Sequence, residues 1–539
     1  MCKKSIYKKN FLLCTIAGTL IFSHFCSTYA NALHHEIPEI PTVRTANGEK
    51  ITLNNVFVRG KYNAVIANTG HITITNSIMH SDGTLLAGVA GGYLNAKGIV
   101  GKTKERGLSL TNGIINVQDS IIHVTEHGGA YGIIFDYILS SRIKEGEEVV
   151  NKAILSNTKL LVKDGVGIVG PYYSKAISNE VQLKDSEIHS DMLLKNKTAP
   201  GNTEPATFIL TADNSIMEGK VKTLPQNTTV FNLNNNSKWY LKISLFEVED
   251  DSSIFDYKLL DIKQRAQSVV SVLNLNNSSI VFNAPHVLAN GHYQTLSVGR
   301  VQTAEVSRLL ESRDSTIKTV YNATGDAKIY FNTEWSDGLQ KEKQKTDRLL
   351  IHGNVSGTTT IYINNLSKDE NAKEEYVVPL NMRGISLIQV SGKADENSFK
   401  LANGYTTIKG LPYKYTLNAY GPTSSHGKAD SAQSHLEDIS QESKENTPRT
   451  NTNHLVLGGM VVEIEQDIKG ETTSNREKAN AEQNHLRENK NFWDFRLQTA
   501  SLDAEGKIRA LVPQVASYLV MPNALFSTGL ADLNNQNIL

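Results

Sequence analysis

The sequence predicts an all-β protein built as a right-handed parallel β-helix, with a disordered polar segment and a short C-terminal helical linker. Three observations lead to this fold class. Short runs in which apolar and polar residues alternate recur throughout residues 51–345, as expected of half-buried strands. Pairs of short polar residues precede many of these runs, and such pairs favour corners because their side chains hydrogen-bond the local backbone. No notable stretch of helical periodicity interrupts the runs, so a stacked solenoid explains the pattern best.

Length and charge restrict the class further. The chain has 539 residues, with 55 basic and 55 acidic side chains and a formal net charge of zero. One compact core rarely extends over so many residues, which also favours a repeating fold. Because neither charge dominates, we predict no nucleic-acid partner and no role as a cation store.

Residues 1–32 have the pattern of a signal peptide. An apolar stretch from Phe11 to Phe25 follows a charged start and is shorter than a membrane-spanning helix requires. Ala30-Asn31-Ala32 fits a cleavage site with a cut before Leu33, and a cut after Ala30 fits nearly as well. We therefore expect export through the inner membrane to the periplasm. The lysines of the charged start are Lys3, Lys4, Lys8 and Lys9.

All cysteines fall inside the predicted signal peptide, at Cys2, Cys14 and Cys26. The mature chain would contain none, although an oxidising compartment permits disulfides. Avoiding cysteine suits a chain that is threaded unfolded through a narrow pore, and chance is the alternative explanation.

Residues 33–345 form the predicted β-helix. Its corners recur at roughly twenty to forty residues, so the repeat is degenerate. About a dozen coils of about 4.8 Å each would make a stalk about 60 Å long. An array of β-sandwiches is the alternative, but it predicts more two-residue hairpins than Asn112-Gly113 and Asn290-Gly291. The polar pairs expected at corners are Asn76-Ser77, Asp119-Ser120, Asn157-Thr158, Asp185-Ser186, Asn214-Ser215 and Asn277-Ser278.

Three segments are predicted to leave the coil as surface insertions. Ala87–Arg106 is rich in glycine and then basic, Tyr137–Val150 is charged, and Lys195–Pro205 is polar with two prolines. Insertions on one face of a solenoid are where binding residues usually lie.

The stretch from Thr346 to Tyr420 again alternates. Leu349/Ile351 and Thr360–Ile363 flank a corner between Gly353 and Gly357, which predicts a strand, a turn and a strand. Further runs follow at 384–392, 398–402 and 413–420.

These motifs carry a resemblance to a known family. Asp347-Arg348-Leu349 with Ser356-Gly357, then Gly384–Val390 and Tyr413–Leu417, are similar to the pertactin-like end of autotransporter passengers; Tyr293–Gly299 also resembles that family. In the family this part ends a β-helix just before the membrane anchor and promotes its folding. The resemblance implies a pertactin-like C-terminal or autochaperone segment at 346–421, preceded by a β-helix passenger at 33–345.

Composition changes after this segment. Residues 422–491 are largely Ser, Gln, His, Glu and Lys, and such a low-complexity linker buries too little surface to order itself. Residues 492–539 resemble the start of the translocator linker, because Val512–Phe526 reads VPQVASYLVMPNALF and the last residues suit a helix. An outer-membrane barrel follows this linker in the family, so we expect a passenger truncated before its barrel. A separately encoded partner barrel is one alternative.

The motifs searched for catalytic chemistry do not support an enzyme. Gly325-Asp326-Ala327 lacks the serine of a Gly-Asp-Ser-Gly nucleophile loop. Gly165–Gly170 matches GxGxxG, but Pro171 follows instead of a helix. His123 and His127 would lie about 13 Å apart on a strand, too far for one metal. Asp250-Asp251 would point to opposite faces, and Asp136 is a candidate in residue type only. We predict no catalytic, cofactor-binding or metal-binding residues and no cofactor.

The resemblance implies a non-enzymatic, surface-displayed or secreted passenger of type V secretion, acting as an adhesin or other host-interaction protein with a role in virulence. Host surface or matrix molecules and an outer-membrane translocator barrel are the implied partners. The final location would be the cell surface, the outer membrane or the medium. A β-helix enzyme acting on polysaccharide and a decayed fragment without exported function are the alternatives.

Overall fold

The computed structural model describes residues 37–126, 129–136, 149–170, 177–196, 205–249, 258–285, 291–299, 318–337, 339–368, 378–408, 411–436, 491–503 and 505–536. The predicted signal peptide and the polar residues 437–490 lie outside this part of the chain, as do the central portions of the insertions expected at 137–150 and 195–205.

Short strands make up most of the described residues. Up to residue 136 they are β1 (Glu39–Ile40), β2 (Val43–Arg44), β3 (Lys50–Asn54), β4 (Phe57–Gly60), β5 (Asn63–Asn68), β6 (His71–Thr75), β7 (Ile78–Ser81), β8 (Thr84–Lys97), β9 (Val100–Thr103), β10 (Arg106–Gln118), β11 (Ile121–Val124) and β12 (Tyr131–Phe135). From 149 to 299 they are β13 (Val149–Ser156), β14 (Lys159–Val162), β15 (Val166–Val169), β16 (Ile177–Lys184), β17 (Glu187–Lys195), β18 (Thr207–Asp213), β19 (Ile216–Lys222), β20 (Thr228–Asn234), β21 (Lys238–Leu241), β22 (Gln267–Val270), β23 (Val272–Asn276), β24 (Ser279–Phe282) and β25 (Thr295–Gly299).

The C-terminal part contains the remaining elements. Its strands are β26 (Thr319–Thr324), β27 (Lys328–Trp335), β28 (Arg348–His352), β29 (Asn354–Ser356), β30 (Thr359–Lys368), β31 (Ile385–Val390), β32 (Phe399–Leu401), β33 (Tyr415–Tyr420) and β34 (Trp493–Thr499). The α-helices are α1 (Ile262–Arg265) and α2 (Pro513–Gln536), with single 3₁₀ turns at Lys341–Lys343, Leu380–Met382 and Ser431–Gln433.

The strands stack in parallel on three faces of a coil. On the first face β2 pairs with β5, on the second β3 pairs with β6, and on the third β4 pairs with β7. The long strands β8 and β10 run across two faces each, because their two halves pair with different strands. The predicted parallel β-helix is therefore confirmed.

Columns of aliphatic side chains fill the inside. On the second face Ile72, Leu94 and Ile115 occupy equivalent positions in successive coils, and all three are fully buried. The column continues through Ala153 and Val181. Burying each large aliphatic side chain contributes roughly 1.5–3 kcal/mol, so stacking supplies a stability that one coil cannot provide alone.

The predicted polar pairs do form the corners between the second and third faces. Asn214 adopts a φ of +46°, in the left-handed region that asparagine tolerates. The hydroxyl of Ser215 donates to the Asp213 carbonyl at 2.7 Å and accepts from the Ser186 N–H at 3.0 Å. Each corner thereby satisfies backbone groups of its own coil and of the preceding coil. Coil length varies more than predicted, since Asn277 bonds the backbone of a residue 49 positions away.

One predicted insertion is wrong. Ala87–Arg106 forms regular coil, through β8, β9 and the start of β10. Gly92 serves close packing, because a Cβ at this position would lie 1.9 Å from the Ala67 carbonyl oxygen of the preceding coil. Glycine at position 92 therefore reflects contact between neighbouring backbones.

An antiparallel cap ends the solenoid. The order β31, β34, β33 places β34 between two strands of the 346–421 segment. Leu436 and Phe492 pack with Leu350 at its side. The structure thus groups 493–499 with residues 346–421, although the sequence pattern placed them in the linker that follows.

Candidate functional site

The residues that the sequence singled out do not come together. His123 faces outward from β11, while His127 lies outside the described residues, as do Asp250 and Asp251. Burial and nearby Lys102 lower the pKa of His123. Asp136 forms an ion pair with Arg106, with an oxygen–nitrogen distance of 3.4 Å.

The GxGxxG segment is part of the sheet. Val166–Val169 is strand β15, and Gly170 follows with a φ of +108°. A Cβ on Gly167 would lie 2.9 Å from the Ser190 hydroxyl and 3.0 Å from the Leu193 carbonyl oxygen. These glycines allow coils to approach, and they do not open a helix that could bind a phosphate.

A row of ionisable side chains, linked by hydrogen bonds and ion pairs, runs along the outside of the third face. Lys159 Nζ lies 2.9 Å from Glu187 Oε1, and Glu187 Oε2 lies 3.0 Å from His189 Nε2. His189 Nδ1 lies 2.9 Å from Glu218 Oε2, and Glu218 Oε1 accepts from Lys242 Nζ at 3.0 Å. This row of side chains therefore alternates two carboxylates with Lys159, His189 and Lys242 over neighbouring coils.

Contacts within this row of side chains shift the pKa values of Glu187, His189 and Glu218. The hydrogen bond from His189, together with Lys242, lowers the pKa of Glu218 to about 2. Partial burial opposes ionisation of Glu187, but hydrogen bonds from Lys159 and His189 outweigh it and lower its pKa. The contact with Glu218 raises the pKa of His189. Both carboxylates are held ionised, so this pair lacks the carboxylic acid with a raised pKa that two-carboxylate glycoside hydrolysis requires.

The cap is held by a buried ion pair. Arg496 Nη1 donates to Asp494 Oδ2 at 2.7 Å, and neither side chain is exposed. Arg496 also donates to the carbonyls of Met382 and Gly384 at 3.0 and 3.1 Å. Because a buried charge without partners is costly, these contacts fix the position of β34 between its neighbours.

Beyond the cap, helix α2 presents apolar side chains to solvent. Leu525 is 67% exposed and Phe526 is 71% exposed. At about 100° per residue, these two fall with Met521, Leu530 and Leu533 inside about half of the helix circumference. Val520, which is 61% exposed, lies on the other half. The helix contains no Lys or Arg. A face of this kind indicates a partner surface, and it is the clearest candidate for a functional contact in the described residues.

Sequence reasoning identified the residues of α2 but missed the charged chain around His189. Glu187 and His189 alternate on one strand, and that alternation was the only local signal. Glu218 is 29 residues from His189, so the contact depends on the register between coils of unequal length. Such a register cannot be obtained from local periodicity.

The part of the chain that the structure describes contains no three His, Cys, Asp or Glu side chains grouped so that they could hold a metal ion. It also contains no helix that combines the length and the hydropathy needed to cross a membrane. Comparison with protein families and with curated proteins finds no match to this chain.

Proposed function

We propose that this chain is the exported passenger of an autotransporter, displayed on the cell surface or released, and that it acts as a non-enzymatic adhesin. The observation that carries the proposal is the order of elements at the C-terminus. A long parallel β-helix ends in the cap formed by β31, β33 and β34, and helix α2 follows with its apolar face uncovered. This order agrees with a passenger, its folding segment and a linker that enters a translocator.

The chemistry of α2 supports a protein partner. Six of its apolar side chains are exposed, and Asp532 is its one charged residue. Such a helix is poorly suited to remain alone in water, because about 25 cal/mol is lost for each Å² of apolar surface that stays hydrated. The interior of a translocator barrel is the partner that the family resemblance implies.

The remaining support comes from the sequence. Residues 33–539 contain no cysteine, which suits passage through a narrow pore in an unfolded state. The solenoid presents a long polar surface, which suits binding of an extended partner more than turnover in one deep pocket.

Surface display is tested in the source bacterium. Cells are treated with protease, fractionated and probed with antibody to the β-helix. We expect the β-helix to be outside and protease-accessible. Phe526→Asp should lower the displayed fraction about tenfold, because a charge would enter the apolar contact.

Ala531→Asp is the matched control, since at about 100° per residue it adds the same charge near the middle of the other half of α2 and should leave display unchanged. A protein that stays in the cytoplasmic fraction would contradict the proposal, as would an equal loss of display in both variants.

The adhesin part has a separate test. Purified protein is incubated with host and bacterial glycans, and the release of new chain ends is measured. Binding without release supports an adhesin, whereas turnover would establish an enzyme instead.

The folding role of residues 346–421 is part of the same proposal. Deleting them should leave the upstream coils sensitive to protease, because the end of the aliphatic columns would be open. A deletion variant as resistant as the intact chain would exclude that role.

A further inference from the structure

The third face carries a strip of aromatic and cationic residues over five successive coils, at β21, β24, β27, β30 and β32. We refer to it as the tyrosine–lysine strip. Its first column, in register, is Tyr240, Val281, Tyr330 and Tyr362. Its second column, two positions earlier on the same strands, is Lys238, Ser279, Lys328, Thr360 and Lys400.

The tyrosine column has a gap. Tyr330 and Tyr362 stack with ring centroids 4.6 Å apart and an interplanar angle of 14°. The opposite face of the Tyr330 ring is therefore turned toward Val281 and Tyr240. Val281 is shorter than a tyrosine, so the register leaves a gap in the column between Tyr240 and Tyr330, and we call this gap the Val281 slot.

The size of the Val281 slot suits one ring. Tyr240 and Tyr330 are two coils apart, which places them about 9.6 Å from each other along the axis. A ring held midway would lie about 4.8 Å from each tyrosine, within the separation that ring contacts prefer. The floor is the aliphatic side chain of Val281, which is half-buried. Two aromatic walls and an apolar floor match the C–H faces of a sugar ring.

Cations line the same slot. Lys238 and Lys328 stand beside the two walls, on the strands that carry Tyr240 and Tyr330. Asp326 pairs with Lys328 at 2.5 Å. Among the described residues, Lys238 and Lys400 make no ion pair. The strip therefore has an excess of positive charge, and its polar groups are mainly N–H and O–H donors, so an anionic ligand would complement it.

We propose that the Val281 slot binds one anionic sugar unit of a linear acidic polysaccharide, whose chain leaves the slot along the strand direction, past Lys238 and Lys328. The proposal rests on the adhesin part of the proposed function and names the class of its ligand. A neutral glycan would leave the lysines without a role, and an acidic polypeptide without aromatic residues would have no ring to place between the tyrosines.

The experiment measures equilibrium binding of the purified full-length chain to polygalacturonate and to heparin. Dextran serves as the neutral control and poly-glutamate as the polypeptide control. Val281→Tyr should fill the slot without disturbing the core, because position 281 faces outward on a strand. Val281→Ala keeps the slot open. We expect binding to at least one acidic polysaccharide, weakened about tenfold or more by Val281→Tyr and changed less than about twofold by Val281→Ala.

A second pair of variants separates the strip from overall charge. Lys238→Gln combined with Lys328→Gln should weaken binding about five- to tenfold, as expected for two exposed ion pairs. Lys50→Gln combined with Lys102→Gln removes the same charge from outward positions of β3 and β9, far from the slot, and should leave binding unchanged. Matched thermal unfolding curves would show that all variants are folded.

Each remaining outcome would overturn the proposal. These outcomes are no binding to either acidic polysaccharide, unchanged binding in Val281→Tyr, equal losses in the two lysine pairs, or equal affinity for dextran or poly-glutamate. Because the assay uses protein in solution, failure here leaves the surface-display experiment untouched, and failure of display leaves the binding result valid.

Discussion

Asp347, which directly precedes β28, gives the most quantitative prediction. Its carboxylate is fully buried and joins three parts of the chain. Oδ1 accepts from the Gln294 N–H at 2.8 Å, while Oδ2 accepts from the backbone N–H of Asn332 at 2.8 Å and from its side-chain amide at 2.9 Å. Burial raises the pKa of Asp347 to about 7, although these three donors oppose the rise.

The sign of the pH dependence follows from the raised pKa. The folded state holds a proton on Asp347 that the unfolded chain releases near pH 4. The associated stability is therefore complete at low pH and is lost as pH rises through about 7. Between pH 5 and pH 8 the loss amounts to about 2–3 kcal/mol.

Asp347→Asn removes this titration. Its amide must place an NH₂ group against at least one of the donors, which costs about 1–3 kcal/mol at every pH. The variant should therefore be less stable than the wild type at pH 5 but should lose about 2–3 kcal/mol less between pH 5 and pH 8. Urea unfolding is followed by fluorescence of Trp335 and Trp493, which are both buried in the C-terminal part. Parallel pH profiles for the two proteins would refute the reasoning.

Four further predictions use the same unfolding assay. Burial lowers the pKa of His352 to about 4, so folding stability is lost as pH falls below about 6.5. His352→Leu should reduce that loss by about 2 kcal/mol at pH 5. An unchanged loss of stability at acidic pH would contradict this prediction. Ser215→Ala removes both hydrogen bonds of the Ser215 hydroxyl at the corner and should lower stability by about 1–3 kcal/mol. Unchanged stability would show that Asn214 alone is sufficient to stabilise the corner. The new methyl group of Gly92→Ala would clash with backbone atoms, and the substitution should lower the free energy of unfolding by about 3 kcal/mol or more. In Gly101→Ala the methyl group clashes only with the end of a leucine side chain, and the loss should be about 1 kcal/mol. Equal losses in the two variants would refute the packing argument. Arg496→Met should cost about 3–5 kcal/mol because it leaves a buried carboxylate unpaired, and a stable variant would show that the pair is dispensable.

The sequence predicted the fold because the rules that build each coil are local. Alternation places Ile72 and Leu94 inside whatever the length of the coil. The pair Asn214-Ser215 turns a corner through its own φ angle and its own hydroxyl group. Neither inference requires knowledge of which coil lies above or below.

The errors arose where contacts between coils decide the structure. Glycine in Ala87–Arg106 suggested a loop, but Gly92 is required by the carbonyl of Ala67 in another coil. Strand β34 was assigned to the linker because a long polar segment separates it from β33. Its pairing with β31 and β33 depends on the buried partners of Arg496, which no local pattern contains.

The position of β34 also explains how a stack of equivalent coils can end. A parallel solenoid exposes an aliphatic column and an unpaired strand edge at its last coil, and both invite aggregation. Strand β34 pairs in antiparallel fashion with β31 and brings Phe495 against Phe399, with ring centroids 4.9 Å apart. Since β34 lies far along the chain from β31, the upstream coils can be sealed only after residue 499 has joined them. The last coil is therefore stabilised by a contact of large sequence separation, while every earlier coil depends on its immediate neighbours. Damage to the cap should accordingly destabilise the C-terminal coils first.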